Sequence, residues 1–279
     1  MQIPGSALWE RYSRFHGMLF HAGRCNVCGN ETQFYYTDPL LYRESLVCGQ
    51  CLTTSRYRSI ARGVLKAIEE LTGIKATSMV DLQPTAENIS FKIYDTQPPF
   101  YWNASAYPLP DLLSRCQWIE RETSVYRPNE PLGVSLGPNF TNQNLEELTF
   151  PDNNFDLVIT SDVMEHVRLD DRAHKEITRV LKPGGVYIFT VPHFRHGQKT
   201  IVRVEVVDPA DPTKDQFVME KEYHGDANSE DRRALSYRAY GTELDGFLNE
   251  LGFTVDYCGE DFPEIGIMNT ELFFCRLSK

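Results

Sequence analysis

The sequence predicts a doubly wound α/β domain preceded by a small cysteine-bearing module. From about residue 90 onward, short β-rich runs alternate with helical segments. The central runs are continuously apolar, as in strands that helices cover on both faces of a parallel sheet. Before that region, four of the seven cysteines fall between residues 25 and 51. In sheets of this class, ligands bind where the carboxyl ends of the strands meet.

The charge of the chain changes sign at about residue 75. The 279 residues carry a net charge of −11, which disfavours a surface that coats nucleic acid. Residues 1–75 contain nine basic and six acidic side chains, so this part is +3 and the remainder is −14. We therefore expect a module over 1–75 and a domain over 76–279. No apolar run reaches the roughly 20 residues of a membrane helix and no signal pattern opens the chain, so a cytoplasmic protein is expected.

Two CxxC pairs stand about 20 residues apart, Cys25 with Cys28 and Cys48 with Cys51. This is the spacing of a tetrahedral four-thiolate zinc site, which is closed to substrates and therefore structural. The alternative is reduced pairs, or a redox pair, without a metal. A redox CxxC normally opens a helix in a thioredoxin-like pattern and needs no second pair.

The residues around these pairs predict a small zinc ribbon followed by a helix. Gly29 and Gly49 lie where the tight turns of the pairs need small residues and positive φ. The predicted elements are strands over 33–36 and 40–42 and a helix over 56–71 that ends at Gly73.

The region after residue 90 predicts a sheet with one inserted segment. Ile177, Val180 and Leu181 fall on one helix face, and a Pro-Gly-Gly run breaks that helix. Residues 198–226 form an insertion that we expect to be a hairpin lid over the substrate site. The predicted elements are strands over 91–94, 117–119, 155–160 and 186–191, a helix over 170–181, insertion strands over 201–207 and 216–219, a helix over 240–251, and last strands over 253–257 and 271–275.

Two segments of this region resemble a known family. Residues 148–167 read LTFPDNNFDLVITSDVMEHV, and residues 179–185 read RVLKPGG. The first is similar to motif IV of class I S-adenosylmethionine-dependent methyltransferases of the type 11-like kind, and the second to the turn before their fifth strand. With its CxxC pairs and the following Arg56 and Arg58, the chain resembles a bacterial subgroup that carries a zinc knuckle before the methyltransferase domain.

The resemblance implies a Rossmann-like sheet whose last two strands form an antiparallel edge hairpin, and S-adenosylmethionine as the cofactor. It also implies that the Asn144 side chain meets the adenine amino group and that Leu145 packs on the ring. Many relatives have Asp at this position, and the Asn oxygen is still able to accept from an amine. A role for Asn144 as a turn residue is equally open.

The loop after the first strand departs from the family because it contains no glycine. In the family, a glycine-rich loop lets backbone N–H groups approach the amino-acid end of the cofactor. Here Tyr94, Asp95, Thr96 and Gln97 take that place, and Asp95 is expected to pair with the ammonium group. A catalytically inactive, methyltransferase-like binding module is therefore an alternative.

Polar side chains at other strand ends complete the expected cofactor site. A ribose diol is best held by a carboxylate at the end of the second strand, where Glu122 is the candidate and Glu120 the alternative. Ser161 and Asp162 follow the fourth strand and are expected at the same edge. The absence of GxGxxG and P-loop patterns disfavours a dinucleotide dehydrogenase and a P-loop nucleotidase.

Histidines after two strands are the expected catalytic residues. Methyl transfer to oxygen or nitrogen needs in-line geometry and usually a base. His166 follows Glu165 at the mouth of the fourth strand, and His193 lies just past the fifth. His224 is a further candidate as part of the lid, and a structural hydrogen-bonding role is the alternative for each histidine.

The expected function is methylation of a hydroxyl or amine on a sugar, glycolipid precursor or other metabolite. The resemblance to the subgroup and the acidic body of the chain favour such a small-molecule or glycan acceptor. Methylation of RNA or protein, with the zinc ribbon gripping the substrate, is the alternative that the basic first part favours.

Overall fold

In the computed structural model, the described residues are 18–82, 89–97, 112–113, 115–194, 197–225 and 232–278. Their α-helices are α1 (Tyr42–Ser45), α2 (Ser55–Thr72), α3 (Asp170–Val180) and α4 (Glu243–Glu250). Short 3-10 helices cover Met79–Leu82, Met164–His166, Pro212–Lys214 and Pro263–Ile265. The strands are β1 (Met18–Arg24), β2 (Glu31–Tyr36), β3 (Val47–Cys48), β4 (Phe91–Asp95), β5 (Ile119–Val125), β6 (Ser135–Gly137), β7 (Phe140–Asn142), β8 (Phe155–Ser161), β9 (Leu181–Thr190), β10 (Ile201–Val202), β11 (Val204–Glu205), β12 (Gln216–Phe217), β13 (Glu222–Gly225), β14 (Arg233–Ser236), β15 (Arg238–Ala239), β16 (Phe253–Cys258) and β17 (Leu272–Leu277).

The first of two compact units contains the described residues within 1–91, 99–121 and 257–272. It holds an antiparallel sheet in the order β1-β2-β3 and the helix α2. The apolar residues of α2 recur at helical spacing, and Ile60, Val64 and Ile68 are fully buried. The helix ends at Gly73, whose φ of 76° lies in the left-handed region that glycine adopts at low cost.

The prediction of a strand over 40–42 is wrong. Asp38 Oδ1 accepts a hydrogen bond from the Leu40 N–H at 2.9 Å, which stabilises a turn, and Tyr42 begins α1. Leu40 and Leu41 are exposed, so this apolar run does not face a core. The strand β1 was not predicted, because most of its side chains are exposed and it lacks the apolar alternation of a half-buried strand.

The second compact unit contains the described residues within 92–98, 122–256 and 273–279. Its sheet has the order β16-β17-β9-β8-β4-β5-β7-β6. The strand β8 pairs in parallel with both β4 and β9, and β17 pairs antiparallel with β9. Leu157, Val158 and Ile159 are fully buried, as expected for a strand covered on both faces. The predicted doubly wound sheet with C-terminal strands at an antiparallel edge is confirmed.

Three boundaries of this unit differ from the prediction. The run over 117–119 marks only the start of β5, which continues to Val125. Gly184, with a φ of 81°, lies within an irregular first part of β9 and does not form a separate loop. The last helix was predicted from residue 240 but begins at Glu243, because the residues before it pair as β15.

The insertion contains several short antiparallel pairs. β11 pairs with β12, β10 with β15, and β13 with β14. The predicted strands over 201–207 and 216–219 therefore pair only through β11 and β12, which have two residues each. The role of this segment as a lid and the domain boundary at residue 75 stay predictions. Within the described residues, no helix combines the length and the apolar character that crossing a membrane requires.

The close approach of two segments at Gly241 predicts a large effect of a single methyl group. A Cβ at Gly241 would overlap the backbone of Gln198, Lys199 and Thr200, whereas a Cβ at Gly246 in α4 would meet nothing within 4 Å. We expect Gly241→Ala to lower the free energy of unfolding by about 1–3 kcal/mol, the usual cost of overpacking. Gly246→Ala should raise it by about 0.5–1 kcal/mol, because alanine is the better helix former. Urea unfolding measures both, and equal stabilities would contradict this packing.

Candidate active site and cysteine cluster

The loop after β4 is tied to the carboxyl end of β8. The Thr96 N–H donates to Ile159 O at 3.1 Å, and Gln97 Nε2 donates to Ser161 O at 3.4 Å. Asp95 is fully buried, and its Oδ1 accepts from the Gln97 N–H at 3.0 Å. Four of the predicted cofactor residues therefore meet at one edge of the sheet.

Asp162 extends this edge in the left-handed backbone region, with a φ of 51°. Its N–H donates to Thr190 O at 2.9 Å, and Thr190 Oγ1 donates to Asp162 Oδ1 at 2.8 Å. Ser161 Oγ lies 3.3 Å from the same hydroxyl. Aspartate tolerates this backbone conformation because its short side chain forms local hydrogen bonds. Sequence reasoning missed Thr190, whose only signal is a hydroxyl at the end of an apolar run.

Tyr94 is enclosed within the sheet. Its ring stacks on Phe155 with centroids 5.5 Å apart, and its hydroxyl lies 2.7 Å from Ser124 Oγ. Burial raises the pKa of Tyr94 well above its usual value. The side chain thus contacts β5 and β8, and its contact with a cofactor stays a prediction.

Glu122 is half-buried within β5, and the strand continues past it to Val125. The carboxylate expected at the end of the second strand therefore lies before that end. Glu120 is exposed and stands two positions earlier, on the same face of the strand. The assignment of Glu122 to the ribose stays a prediction.

Asn144 stabilises a turn. Its Oδ1 accepts from the Glu146 N–H, and its backbone oxygen accepts from the Glu147 N–H, both at 3.0 Å. Leu145 is largely buried in the same turn. The turn role that the sequence left open for Asn144 is therefore observed, and the adenine contacts of Asn144 and Leu145 stay predictions.

His166 and His224 lie on either side of one carboxylate. His166 Nε2 and His224 Nδ1 are each 3.6 Å from Glu165 Oε1, and the two rings are edge-to-face with centroids 4.8 Å apart. Glu165 and Glu222 raise the pKa of His224 to about 9. The sequence indicated His166 and His224 separately but gave no role to Glu165, although it stands within the quoted motif.

His193 follows β9, where its backbone bridges to Tyr240. Its ring is half-buried and packs edge-on against Phe273 with centroids 5.1 Å apart. The structure thus places this predicted catalytic residue just beyond the carboxyl end of β9, as expected, and its role stays a prediction.

The side chains of Arg238 and Tyr240 hold the segment after β8 in place. Arg238 donates to Val167 O at 2.6 Å and to Arg168 O at 2.9 Å, and it lies 3.2 Å from Asp170 Oδ1. The Tyr240 hydroxyl donates to Asp170 Oδ2 at 2.9 Å. Arg238 is thus largely buried and bonded to the protein itself.

The four paired cysteines come together in the first unit. Cys25 Sγ lies 3.8 Å from Cys51 Sγ, and Cys28 Sγ lies 3.9 Å from Cys48 Sγ. Four thiolates bound at about 2.3 Å to a tetrahedral zinc ion stand about 3.8 Å apart. The sulfur atoms therefore fit one tetrahedral metal ion.

The two CxxC turns have the same backbone geometry. The Gly29 N–H donates to Cys25 O and the Leu52 N–H donates to Cys48 O, both at 2.9 Å. Gly29 has a φ of 71° and Leu52 a φ of 59°, so they occupy equivalent left-handed positions. Positive φ at Gly29 is confirmed, whereas the same expectation for Gly49 is wrong because Leu52 takes that position. Gly49 is still required for space, since a Cβ there would lie 2.9 Å from the backbone of β2.

The buried Arg58 connects this cluster to α2. Asn26, between the first two cysteines, donates from Nδ2 to Arg58 O at 2.8 Å. The Arg58 guanidinium donates to Leu46 O at 3.1 Å and stands over the ring of Phe34 at 4.7 Å from its centroid. Its positive charge favours the thiolate form of the nearby cysteines.

Residues 120–189 match the family described as the methyltransferase domain. The matched stretch runs from β5 to β9 and includes Glu122, Asn144, Ser161 and His166. It leaves out the cysteine pairs and the loop after β4. The match supports the class that the two quoted segments indicated.

Short stretches of the chain are similar to curated methyltransferases. The ubiquinone/menaquinone biosynthesis C-methyltransferase UbiE of Hydrogenovibrio crunogenus is 49% identical over 53 residues, which are 19% of this chain and 21% of that protein. The sterol 24-C-methyltransferase erg6 of Aspergillus fumigatus is 41% identical over 69 residues, which are 25% of this chain and 18% of that protein. The chain spans about a fifth of the length of these relatives.

Two solved structures are also similar to this chain. An S-adenosylmethionine-dependent methyltransferase from Mesorhizobium loti has a TM-score of 0.37 and 12% identity, over 70% of this chain and 95% of that one. An O-methyltransferase family protein from Burkholderia thailandensis has a TM-score of 0.38 and 13% identity, over 80% of this chain and 62% of that one.

The contacts of Arg238 predict that lysine is not an adequate replacement. Arg238→Lys keeps the charge but loses the planar fork that reaches Val167 O, Arg168 O and Asp170 together. We expect the free energy of unfolding to fall by about 1–3 kcal/mol. The exposed Arg233 provides the control, because Arg233→Lys should change stability by less than about 0.5 kcal/mol. Urea unfolding compares the two, and similar values would show that the fork is dispensable.

Proposed function

We propose that the chain is an S-adenosylmethionine-dependent methyltransferase whose cofactor binds at the carboxyl edge of β4, β8 and β9. The observation that carries this proposal is the methyltransferase-domain match over 120–189, which includes β8 and β9 of the sheet. The hydrogen-bonded loop after β4 lies outside the match and supports the same location independently, because it joins the end of β8.

The side chains at this edge suit a cationic ligand. S-Adenosylmethionine supplies an electrophilic methyl group on a sulfonium and also carries an ammonium group. Asp95 and Asp162 place carboxylates near the strand ends, and such charges favour a cation. In this proposal Asp95 holds the ammonium group, Glu122 holds the ribose diol, and Asn144 and Leu145 contact the adenine.

We also propose the acceptor to be a hydroxyl or amine of a sugar, glycolipid precursor or other metabolite. Such an acceptor must lose a proton, and His166 and His193 follow the carboxyl ends of β8 and β9. Tyr223 on β13 is 43% exposed, and tyrosine suits a polyhydroxylated acceptor because its ring stacks and its hydroxyl forms hydrogen bonds. The names of the curated relatives describe methylation of carbon, in ubiquinone/menaquinone biosynthesis and on a sterol, and acceptors of those kinds are the alternatives.

Calorimetric titration with S-adenosylmethionine should show one binding site per chain. We expect Glu122→Ala to weaken binding by about 1.5–3 kcal/mol, the usual scale for a hydrogen bond to a charged group. Glu120→Ala removes the alternative ribose ligand, two positions away on the same strand, and should change binding by less than about 0.5 kcal/mol if Glu122 holds the ribose. No binding of the cofactor or its demethylated product at millimolar concentration would favour the inactive binding module. If both variants lose the same amount of binding free energy, the assignment of Glu122 to the ribose is contradicted.

We propose that Cys25, Cys28, Cys48 and Cys51 hold a structural zinc ion. Support comes from the sulfur separations of 3.8 and 3.9 Å and from the equivalent backbone turns that carry the two pairs. Because protein sulfur would fill all four positions, zinc here would stabilise the fold and leave no position for a substrate.

Modification of the thiols with a mercurial reagent should release one zinc ion per chain, measured with a chromogenic chelator. Cys48→Ser should abolish this release and unfold the first unit at lower urea concentration, because structural zinc supplies folding free energy directly. Cys258→Ser lies outside the cluster and should retain both the zinc and the stability. Wild-type protein that releases no metal would contradict the proposal.

A further inference from the structure

Two histidines of the second unit converge on a buried carboxylate, that of Glu165. Glu165 is fully buried, and neither of its carboxylate oxygens accepts a hydrogen bond from any described residue. His166 Nε2 and His224 Nδ1 each lie 3.6 Å from Glu165 Oε1. One ligand atom from each of the three residues can be chosen such that all lie within 4.8 Å of one another. A buried carboxylate is costly unless a positive charge stands beside it, and a metal ion held together with both imidazoles would supply that charge.

The outer nitrogen of each imidazole is engaged by the protein. His166 Nδ1 lies 2.9 Å from Leu235 O, and His224 Nε2 lies 3.0 Å from Glu222 Oε1. A carbonyl or carboxylate accepts a hydrogen bond, so in the neutral form of each ring the proton lies on the outer nitrogen. The lone pairs of the inner nitrogens then face Glu165. Metal-binding histidines have this arrangement, in which the second ring N–H donates to a carbonyl or carboxylate and sets the tautomer.

We propose that Glu165, His166 and His224 bind a divalent transition-metal ion at what we call the Glu165 site. Two imidazoles and one carboxylate are the donors of catalytic zinc and non-haem iron sites, which keep open coordination positions. Donor atoms bound at about 2.1 Å in a tetrahedral arrangement stand about 3.4 Å apart. The observed separations of 3.6 Å from Glu165 to each imidazole are close to that spacing.

Backbone contacts hold the donors of the Glu165 site in place. Glu165 and His166 belong to a short 3-10 helix, and His224 belongs to β13. The Tyr237 N–H donates to Glu165 O at 2.8 Å, and the Tyr240 hydroxyl donates to Met164 O at 3.1 Å. The donors are therefore positioned without a metal, which lowers the ordering cost of binding one.

The Glu165 site has a use that rests on the proposed methyltransferase function. Glu165 and His166 lie in the 3-10 helix that follows β8. A metal ion there would have an open coordination position for the hydroxyl oxygen of an acceptor, close to the proposed cofactor edge. A bound cation lowers the pKa of that hydroxyl, the O–H bond breaks, and the proton passes to a base, for which His193 is the candidate. His166 is then a metal ligand, and metal binding itself does not depend on methyl transfer.

Titration with Co²⁺ tests the Glu165 site by visible absorption, in wild-type protein dialysed against a weak chelator until only the one thiolate-bound zinc ion per chain remains. Co²⁺ binds more weakly than Zn²⁺ in the general affinity order, so it leaves thiolate-bound zinc in place. We expect weak d–d bands that saturate at one cobalt per chain. Thiolate-to-cobalt charge-transfer bands should be absent, because they would report exchange at the cysteine cluster. If no d–d bands appear at saturating Co²⁺, the proposal is overturned. The positive charge beside Glu165 would then come from a proton that it shares with the imidazoles.

Variants separate the Glu165 site from adventitious surface binding. Glu165→Gln keeps the size of the side chain and should weaken Co²⁺ binding about 100-fold or more. Glu222→Ala removes an outer partner and should weaken it about 10–100-fold. Glu220→Gln, on an exposed carboxylate nearby, is the matched control and should bind Co²⁺ as the wild type does. Unchanged affinity in Glu165→Gln would overturn the proposal. If that variant does not fold by circular dichroism, His224→Gln replaces it with the same two outcomes.

The cobalt absorption needs neither cofactor nor acceptor. Loss of S-adenosylmethionine binding with cobalt binding intact would therefore refute the proposed function and leave the metal site standing. The reverse result would refute the metal site alone.

Discussion

The parallel pairing of β8 with both β4 and β9 is the constraint on which the rest of the second unit depends. Parallel strands end at the same edge, so the residues that follow them become neighbours although they are distant in the chain. Gln97, Ser161 and Thr190 are related in this way, through hydrogen bonds between the ends of the strands. Because the strands are buried, these polar groups must find partners at the edge itself.

The edge is consequently ordered by its own side chains. Asp95 stabilises the loop after β4, and Thr190 stabilises the left-handed turn at Asp162. Arg238 then holds the segment that carries His166. A ligand that binds at this edge meets groups that are already oriented, which reduces the entropy lost on binding. The loop after β4 has no glycine, and hydrogen bonds from its own residues hold it in one conformation.

The described part of the chain contains two candidate metal sites of opposite chemistry. The cysteine cluster presents four soft sulfur donors and would enclose its ion completely. The Glu165 site presents two nitrogens and an oxygen, and such a set leaves positions for another ligand. The first is suited to stabilising a small unit, whereas the second is suited to polarising a bound group. The proposals thus assign one metal-binding arrangement to folding and the other to the proposed reaction.

The sequence by itself determined the doubly wound sheet, the pairing of the four cysteines and the edge at which polar residues collect. These follow from local patterns, since apolar runs, CxxC spacing and residues after strands are all visible within a few positions of the chain. Only the tertiary structure decided that Leu52 takes the left-handed position expected of Gly49, that β5 extends beyond Glu122, and that Glu165 lies between two histidines. The last of these joins residues 165 and 224 through the antiparallel pairing of β13 with β14, and no local pattern encodes a contact between side chains so far apart.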